Sequence, residues 1–256
     1  MKYLVLGDIH GRLIWKDIID KENPDKIIFL GDYVTTHELI SVEQQLSNLE
    51  DILNYKENNI DKVILLRGNH DVQILGYSWA SCSGWDWDLY KGMIPIKDRF
   101  LNLTQWIYRI PDTNIVCSHA GISEKFLLNA ERYLENNPYS EEEKRYNWII
   151  SNLNNIEPCE LFGFTPCKIL DYSGNSATQP CTWIRPGTLL DYGVKNIIHV
   201  VGHTPVKKIC NLKEEIKNRL INPDDCSYYI DVWCCDNLQN REYLIIEDGK
   251  FIPCKI

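Results

Sequence analysis

The sequence has no apolar run that approaches the roughly 18 residues needed for a membrane-spanning helix. Its first apolar run, residues 3–6, is also too short for the core of a secretory signal. None of its 10 cysteines forms a Cys-x-x-Cys pair, which argues against a thiolate zinc site and a thioredoxin-like motif. We therefore expect a cytoplasmic protein with free thiols rather than a secreted protein built on disulfides.

Positive charge is also scarce, since 27 Lys and Arg face 36 Asp and Glu and the formal net charge is -9. A general nucleic-acid coat and an anionic-membrane binder both need a positive face, so neither function is expected. A local positive pocket stays compatible with this balance. Internal repeats, linkers and charge blocks are absent as well, so we predict a single domain over residues 1–256.

The first part of the chain alternates between strand and helix patterns. Apolar runs at residues 3–6, 26–30 and 63–66 are typical of buried strands. Between the second and third runs, four leucines and one valine recur every three or four residues from Leu39 to Leu53, which predicts an amphipathic helix. Thr35 and Thr36 are the N-cap candidates for this helix. This β-α-β-α-β order predicts a parallel sheet with helices on its faces.

The regular alternation ends after Asp71, where a Trp-rich insert near residues 77–110 is predicted. Its aromatic residues Trp79, Trp85, Trp87 and Tyr90 could stack a nucleobase or pack as a lid. Further strands are predicted at residues 106–110, 114–117, 197–201, 227–232 and 242–246, and Asp248-Gly249 is a hairpin signal. The fold class is therefore α/β, with a β-rich C-terminal half.

Five predicted strands end in compact polar signatures, which read GDIHG, GD, GNHD, SHAG and GHTP in chain order. Ligands of parallel α/β sheets bind beyond the carboxyl ends of the strands. The signatures bring two Asp, three His and one Asn to such ends: Asp8, Asp32, His10, His119, His203 and Asn69. Mixed oxygen and imidazole ligands suit manganese, iron, zinc, cobalt or nickel better than a calcium cage or a thiolate zinc site.

Six ligands are too many for one catalytic zinc ion, which keeps about three protein ligands. They suffice for two ions about 3.5–4 Å apart that share a bridging carboxylate. Such a centre would attract a phosphate group even in an acidic protein, and it would acidify a water for in-line attack on phosphorus.

The ordered motifs GDIHG, GDYV, LLRGNHD, SHAG and GHTP resemble the calcineurin-like metallophosphoesterases. The resemblance is strongest to the branch that holds serine/threonine phosphoprotein phosphatases and symmetrical diadenosine tetraphosphate hydrolases. It spans residues 7–205, and Tyr229-Ile230-Asp231 is similar to a late strand of the family. The resemblance implies a two-sheet β-sandwich flanked by helices in αββα layers.

The resemblance also implies a role for each matching residue. Asp8 and His10 match ligands of a first metal ion, Asp32 matches the bridging carboxylate, and the second ion is matched by Asn69, His119 and His203. His70 matches a general acid for the leaving oxygen, and Arg185 matches an arginine on the substrate phosphate. The implied cofactors are two divalent ions, manganese first, with iron, zinc, nickel, cobalt or magnesium as alternatives.

One departure from the protein-phosphatase branch of the family concerns the segment after GDYV, where Thr35-Thr36-His37 stands in place of Asp-Arg-Gly. In that branch, the Asp orients the catalytic histidine and the Arg contacts phosphate. His37 as a partial substitute, and Asp71 as the group that orients His70, are two hypotheses for what replaces them. Arg67 and His199 are expected to be structural.

We therefore predict a metal-dependent phosphoric ester hydrolase with a binuclear centre. It would hydrolyse a phosphomonoester or phosphoanhydride by attack of metal-bound hydroxide. The alternatives are a dinucleoside polyphosphate hydrolase and a phosphoprotein phosphatase, followed by a nuclease or phosphodiesterase and a catalytically silent binding module. The expected partners are a phosphorylated small molecule, a nucleotide or a phosphoprotein, and neither a membrane nor a nucleic acid.

Overall fold

The computed structural model describes residues 1–77, 82–134, 136–156, 171, 173–220, 222 and 230–256. Its strands are β1 (Lys2–Leu6), β2 (Lys26–Phe29), β3 (Val63–Leu65), β4 (Ile107–Arg109), β5 (Ile115–Ser118), β6 (Ile198–Val201), β7 (Cys210–Asn211), β8 (Asp231–Cys234), β9 (Glu242–Glu247) and β10 (Lys250–Lys255). They form two mixed five-stranded sheets, ordered β10-β9-β1-β2-β3 and β4-β5-β6-β8-β7.

The α-helices lie between these strands along the chain. They are α1 (Trp15–Glu22), α2 (Val42–Asn58), α3 (Asn69–Ile74), α4 (Trp87–Met93), α5 (Lys97–Leu103), α6 (Glu124–Ala130), α7 (Glu142–Asn152), α8 (Pro186–Tyr192) and α9 (Leu212–Lys217). Short 3-10 turns occupy Ile94–Ile96, Glu131–Tyr133, Leu153–Asn155 and Leu238–Asn240. The predicted fold class, two β-sheets with flanking helices, is confirmed. No helix in the described ranges combines the length and the apolar character that a bilayer crossing requires.

Internal contacts group the chain into two compact units. The first unit comprises Met1–Gln105, Pro205–Ile209 and Cys235–Ile256, and the second comprises Trp106–Thr204 and Cys210–Cys234. The expectation of one domain over residues 1–256 stays a prediction.

In the first unit, the predicted parallel arrangement of β1, β2 and β3 is confirmed. Leu6 pairs with Phe29, and Phe29 pairs with Leu65. Because these strands run parallel and their ends are in register, the loops that follow them leave from one edge of the sheet. Leu4 and Ile27 belong with Leu6, Phe29 and Leu65 to a buried apolar core that fixes this edge.

The C-terminal strands complete the first sheet through a hairpin. β9 pairs antiparallel with both β1 and β10. Asp248 and Gly249 link β9 and β10 with φ of 50° and 74°, the left-handed conformation that a tight two-residue turn requires. The hairpin predicted from Asp248-Gly249 is therefore confirmed.

In the second unit, β5 and β6 form a parallel pair in which Cys117 is opposite Val200. The segments that follow these two strands therefore also leave from a common edge. β8 begins at Asp231, later than the predicted strand over residues 227–232, and residues 227–229 lie outside the described ranges.

The helix predicted from Leu39 begins later than expected. Ser41 is its N-cap residue, because the Ser41 side chain accepts a hydrogen bond from the Gln44 amide at 3.2 Å. The prediction that Thr35 and Thr36 cap this helix is therefore wrong. The Thr35 amide instead donates to Gln45 Oε1 at 2.7 Å, which holds Thr35 in the loop beside the helix.

Candidate metal centre

A first cluster of metal-type side chains lies beyond the carboxyl ends of β1 and β2. Asp8, His10 and Asp32 each offer one ligand atom, and the three atoms lie within 4.8 Å of one another. Both carboxylates are buried, and His10 Nε2 lies 3.9 Å from Asp8 Oδ2. Burying two carboxylates together is costly unless a cation balances them. A set of two carboxylates and one imidazole therefore fits a divalent first-row ion.

The backbone of this cluster adopts an uncommon conformation. His10 and Asp32 have φ values of 47° and 50°, in the left-handed region that residues other than glycine rarely visit. Two hydrogen bonds join the loops, from the His10 amide to the Asp32 carbonyl at 2.7 Å and from the Gly11 amide to the Tyr33 carbonyl at 2.8 Å. Such conformations persist where the surrounding structure enforces them, often at functional sites.

Two glycines permit the close approach of the loops after β2 and β3. A Cβ on Gly68 would lie 2.0 Å from Asp32 Oδ1 and 2.6 Å from the Asp32 nitrogen. Gly31 has φ of 109°, and a Cβ there would lie 2.6 Å from the Gly68 nitrogen. A side chain on Gly68 would displace Asp32 from the cluster, and one on Gly31 would push the two loops apart.

Asp71 joins the same two loops from within the protein. Its Oδ2 accepts hydrogen bonds from the Asp32 and Gly68 amides, each at 2.8 Å, and its Oδ1 accepts one from the Tyr33 amide at 2.9 Å. Asp71 is fully buried. Through these three bonds the Asp71 carboxylate holds the Asp32 loop in place. This role differs from the predicted one, in which Asp71 orients His70.

The imidazole of His10 is oriented by a neighbouring carbonyl. His10 Nδ1 lies 2.5 Å from the Thr35 carbonyl oxygen, and this contact leaves Nε2 as the nitrogen that faces Asp8. Burial lowers the pKa of His10 while Asp32 opposes that shift, so the neutral form is favoured. A neutral imidazole that donates its other N–H to a carbonyl is the usual state of a metal-binding histidine.

His70 is attached to the cluster through its backbone. Its amide donates to Asp32 Oδ1 at 2.9 Å, and its ring lies edge-on to that of His10 with centroids 5.4 Å apart. Cys82 Sγ lies 3.7 Å from His70 Nδ1. Nothing in the sequence pointed to Cys82, because it is 12 residues from His70 in an irregular segment.

The second unit brings two other predicted ligands together. His119 follows β5 and His203 follows β6, and their rings are 5.1 Å apart at an interplanar angle of 61°. The Gly202 amide donates to the His119 carbonyl at 2.8 Å, which links the two loops. His119 is fully buried, and His203 has φ of 62°. Two adjacent imidazoles provide nitrogen ligands of the kind that the resemblance implies.

Arg185 lies in the same unit beside His203. Its Nη1 donates to Thr204 Oγ1 at 3.0 Å, and its Nε donates to the Ser173 carbonyl at 3.2 Å. The Trp183 ring is close to both residues: its centroid is 5.2 Å from that of His203 and 5.8 Å from the Arg185 guanidinium carbon. The guanidinium is half-buried and oriented by these contacts, as a group that receives a phosphate should be.

Arg67, His199 and His37 are three basic residues outside the cluster of Asp8, His10 and Asp32. Arg67 is buried, and its Nε donates to Thr104 Oγ1 at 2.8 Å, so it is structural as expected. His199 is fully buried in β6, where desolvation lowers its pKa to about 4. This environment is that of a structural histidine, also as expected. His37 is exposed.

The insert carries an exposed aromatic cluster. Trp85 lies 5.5 Å from Trp87 and 5.3 Å from Tyr90 between ring centroids. Trp85 and Trp87 are 41% and 65% exposed, whereas Tyr90 is partly buried against the core. Trp79 lies outside the described residues.

Comparison with known proteins identifies the family. The calcineurin-like phosphoesterase family matches residues 1–207, and the chain belongs to this family. No curated protein sequence matches the chain at a significant level.

Solved structures show the same fold. The cold-active protein-tyrosine phosphatase of a psychrophile, Shewanella sp., superposes with a TM-score of 0.55 and 18% identity, over 98% of this chain and 77% of that one. A protein serine/threonine phosphatase from Saccharomyces cerevisiae, with similarity to human phosphatase PP5, gives a TM-score of 0.54 and 11% identity over 99% and 79%. At these identities the likeness concerns the fold.

Proposed function

We propose that this protein is a binuclear-metal-dependent phosphoesterase that hydrolyses a phosphomonoester or a phosphoanhydride. The main support is the convergence of Asp8, His10 and Asp32 within 4.8 Å, with His70 bonded through its amide to the same Asp32. Membership of the calcineurin-like phosphoesterase family supports the reaction class.

In this proposal Asp8, His10 and Asp32 bind a first divalent ion, manganese before iron, zinc, nickel, cobalt or magnesium. A second ion would be held by Asp32, Asn69, His119 and His203. Two such ions, when bound, neutralise phosphate charge and activate a water for in-line attack on phosphorus. The buried carboxylates and the neutral His10 support the first part of this assignment.

The protein's own groups then bind the substrate and transfer a proton. Arg185 donates two parallel hydrogen bonds to the phosphate, and its contacts with Thr204 and Ser173 keep the guanidinium oriented before substrate arrives. His70 gives a proton from Nε2 to the leaving oxygen, so the leaving group departs as an alcohol or as a protonated phosphate anion. The matched residues include no separate nucleophile, so no covalent phosphoenzyme is expected.

A dinucleoside polyphosphate hydrolase is the second candidate. The specific observation in its favour is the pair of exposed side chains Trp85 and Trp87, which contact each other, because aromatic faces of this kind stack nucleobases. A phosphoprotein substrate is a third candidate, in line with the activities named for the two structural neighbours. The missing Asp-Arg after Val34 counts against it.

We also propose a cytoplasmic location. Among the residues that the structure describes, the adjacent Cys234 and Cys235 are both buried and neither forms a disulfide. Thiols of this kind persist in a reducing compartment.

The test is a turnover panel on purified protein with manganese, nickel, zinc or magnesium. Its substrates are p-nitrophenyl phosphate, its bis-ester, a phosphopeptide and diadenosine tetraphosphate. Turnover of a monoester or anhydride that disappears with a chelator is expected, and a preference for diadenosine tetraphosphate would select the second candidate. Absence of turnover with every metal would refute the enzyme proposal.

A further inference from the structure

The family position that orients the catalytic histidine is occupied here by Thr35, which makes other contacts. Its carbonyl accepts from His10 Nδ1 at 2.5 Å, and its backbone is left-handed with φ of 67°. Its Oγ1 is buried without a hydrogen-bond partner. Thr35 therefore supports His10, and it does not take the place of the absent carboxylate at His70.

A different side chain contacts the ring nitrogen of His70. Cys82 Sγ lies 3.7 Å from His70 Nδ1, within the distance of a hydrogen bond to sulfur. The same sulfur lies 4.0 Å from the carbonyl oxygen of Asn69. The thiol is therefore located at the turn that carries both Asn69 and His70.

The segment that carries Cys82 is held in place by one buried side chain. The Cys82 amide donates to Gln73 Oε1, and Gln73 Nε2 donates to the Ser83 carbonyl at 3.2 Å. Gln73 lies on α3, the helix that begins at Asn69. This paired contact fixes the backbone on both sides of the thiol relative to the His70 ring.

We propose that Cys82 is a positioning residue for His70. The sulfur accepts a hydrogen bond from Nδ1–H, and this contact turns Nε2–H toward the leaving oxygen. On proton transfer the Nε2–H bond breaks, the proton bonds to the leaving oxygen, and Nε2 keeps the electron pair while Nδ1–H stays on sulfur. The inference rests on the proposed function, because it assumes that His70 is the acid.

Leaving-group dependence provides the test. Phenolate leaves poorly without a proton, whereas p-nitrophenolate leaves readily. Cys82→Ala should lower kcat on phenyl phosphate by roughly three- to tenfold, the effect of one neutral hydrogen bond. Its kcat on p-nitrophenyl phosphate should change by less than about twofold, because this leaving group needs little help from a proton. Its KM for both esters should also change by less than about twofold, since substrate binding is not affected.

A double-mutant cycle separates positioning from a structural effect. In a His70→Ala background, Cys82→Ala should cause no further loss, because it acts only through the imidazole. Cys82→Ser keeps a hydrogen-bond acceptor and should restore most of the rate on phenyl phosphate. Cys254→Ala, which removes a thiol from β10, is the matched control and should behave as wild type.

The outcomes distinguish this inference from the proposed function. An equal loss on both esters, or an added loss in the His70→Ala background, would overturn the role of Cys82. The role would also be overturned if Cys82→Ala left the ratio of kcat on phenyl phosphate to kcat on p-nitrophenyl phosphate unchanged while His70→Ala changed that ratio. If wild type turned over neither ester nor any other substrate of the panel with any metal, the proposed function would fail, and the role of Cys82 with it.

Discussion

The amide of His70 donates a hydrogen bond to Asp32 Oδ1 at 2.9 Å. The proposed proton donor is thus attached to the proposed bridging ligand through its backbone, while its ring nitrogen Nδ1 contacts a different group, Cys82 Sγ, at 3.7 Å. Because of this division, metal binding and proton transfer should respond differently to mutation at the two positions.

Asp32→Asn should lose both metal and activity. The amide removes the negative charge that two cations would share, and we expect metal affinity and kcat/KM each to fall at least about 100-fold.

His70→Ala should instead retain stoichiometric metal and lose about 100-fold in kcat on phenyl phosphate, the usual contribution of a general acid. Metal analysis after gel filtration, paired with turnover, measures both effects.

Asp61→Asn is the control for Asp32→Asn, because Asp61 is an exposed carboxylate in the same unit. It should bind metal and turn over substrate as wild type does. Loss of metal from His70→Ala would show that the roles of Asp32 and His70 are divided wrongly.

Gly68→Ala should disrupt the centre by steric overlap alone. The added Cβ would lie 2.0 Å from Asp32 Oδ1, so the loop must move. We expect a loss of about 1–3 kcal/mol in the free energy of unfolding, together with weakened metal binding. Gly187→Ala is the matched control, because a Cβ there meets nothing within 4 Å and Gly187 lies in α8. Denaturant titration and metal analysis of both variants would contradict the prediction if Gly68→Ala matched its control.

Arg185→Ala should weaken phosphate binding while leaving the metals in place. We expect kcat/KM to fall about 10- to 100-fold and inhibition by inorganic phosphate to weaken, with Arg185→Lys intermediate because it keeps the charge and loses the paired geometry. Arg219, whose side chain is 79% exposed, provides Arg219→Ala as the control. Unchanged inhibition by phosphate in Arg185→Ala would restrict Arg185 to its contacts with Thr204 and Ser173.

His199 should make stability depend on pH. Desolvation lowers its folded-state pKa from 6.5 to about 4, so the unfolded chain binds the proton first. The stability due to the neutral histidine is therefore present above pH 6.5 and is lost as pH falls toward 4. Linkage gives a loss of about 2 kcal/mol between pH 7.5 and pH 5.

Denaturant unfolding of wild type and His199→Leu at both pH values, with chelator present, measures this term. Chelator removes the separate pH dependence of metal binding. The pH-dependent loss should be smaller in His199→Leu by about 2 kcal/mol. Equal losses in the two proteins would show that His199 is protonated in the folded state.

Much of the first sheet could be predicted, because its strands correspond to short apolar runs in the sequence. The apolar runs at residues 3–6, 26–30 and 63–66 form β1, β2 and β3, and their parallel pairing in register brings the loops that follow them to one edge. The start of α2 was mispredicted because Thr35 and Ser41 are both good cap residues in sequence. Only the hydrogen bond from the Gln44 amide to Ser41 shows which of them caps the helix.

The sequence by itself determined the family, the six metal-type residues and His70, because their order and the strands before them are local properties. The tertiary structure alone decided which groups support them. Asp71 holds the Asp32 loop, Thr35 orients His10, and Cys82 lies at His70 Nδ1. Each of these contacts joins residues between 12 and 39 positions apart. Their distances follow from the packing of loops at the sheet edge, and no periodicity or spacing in the chain encodes that packing.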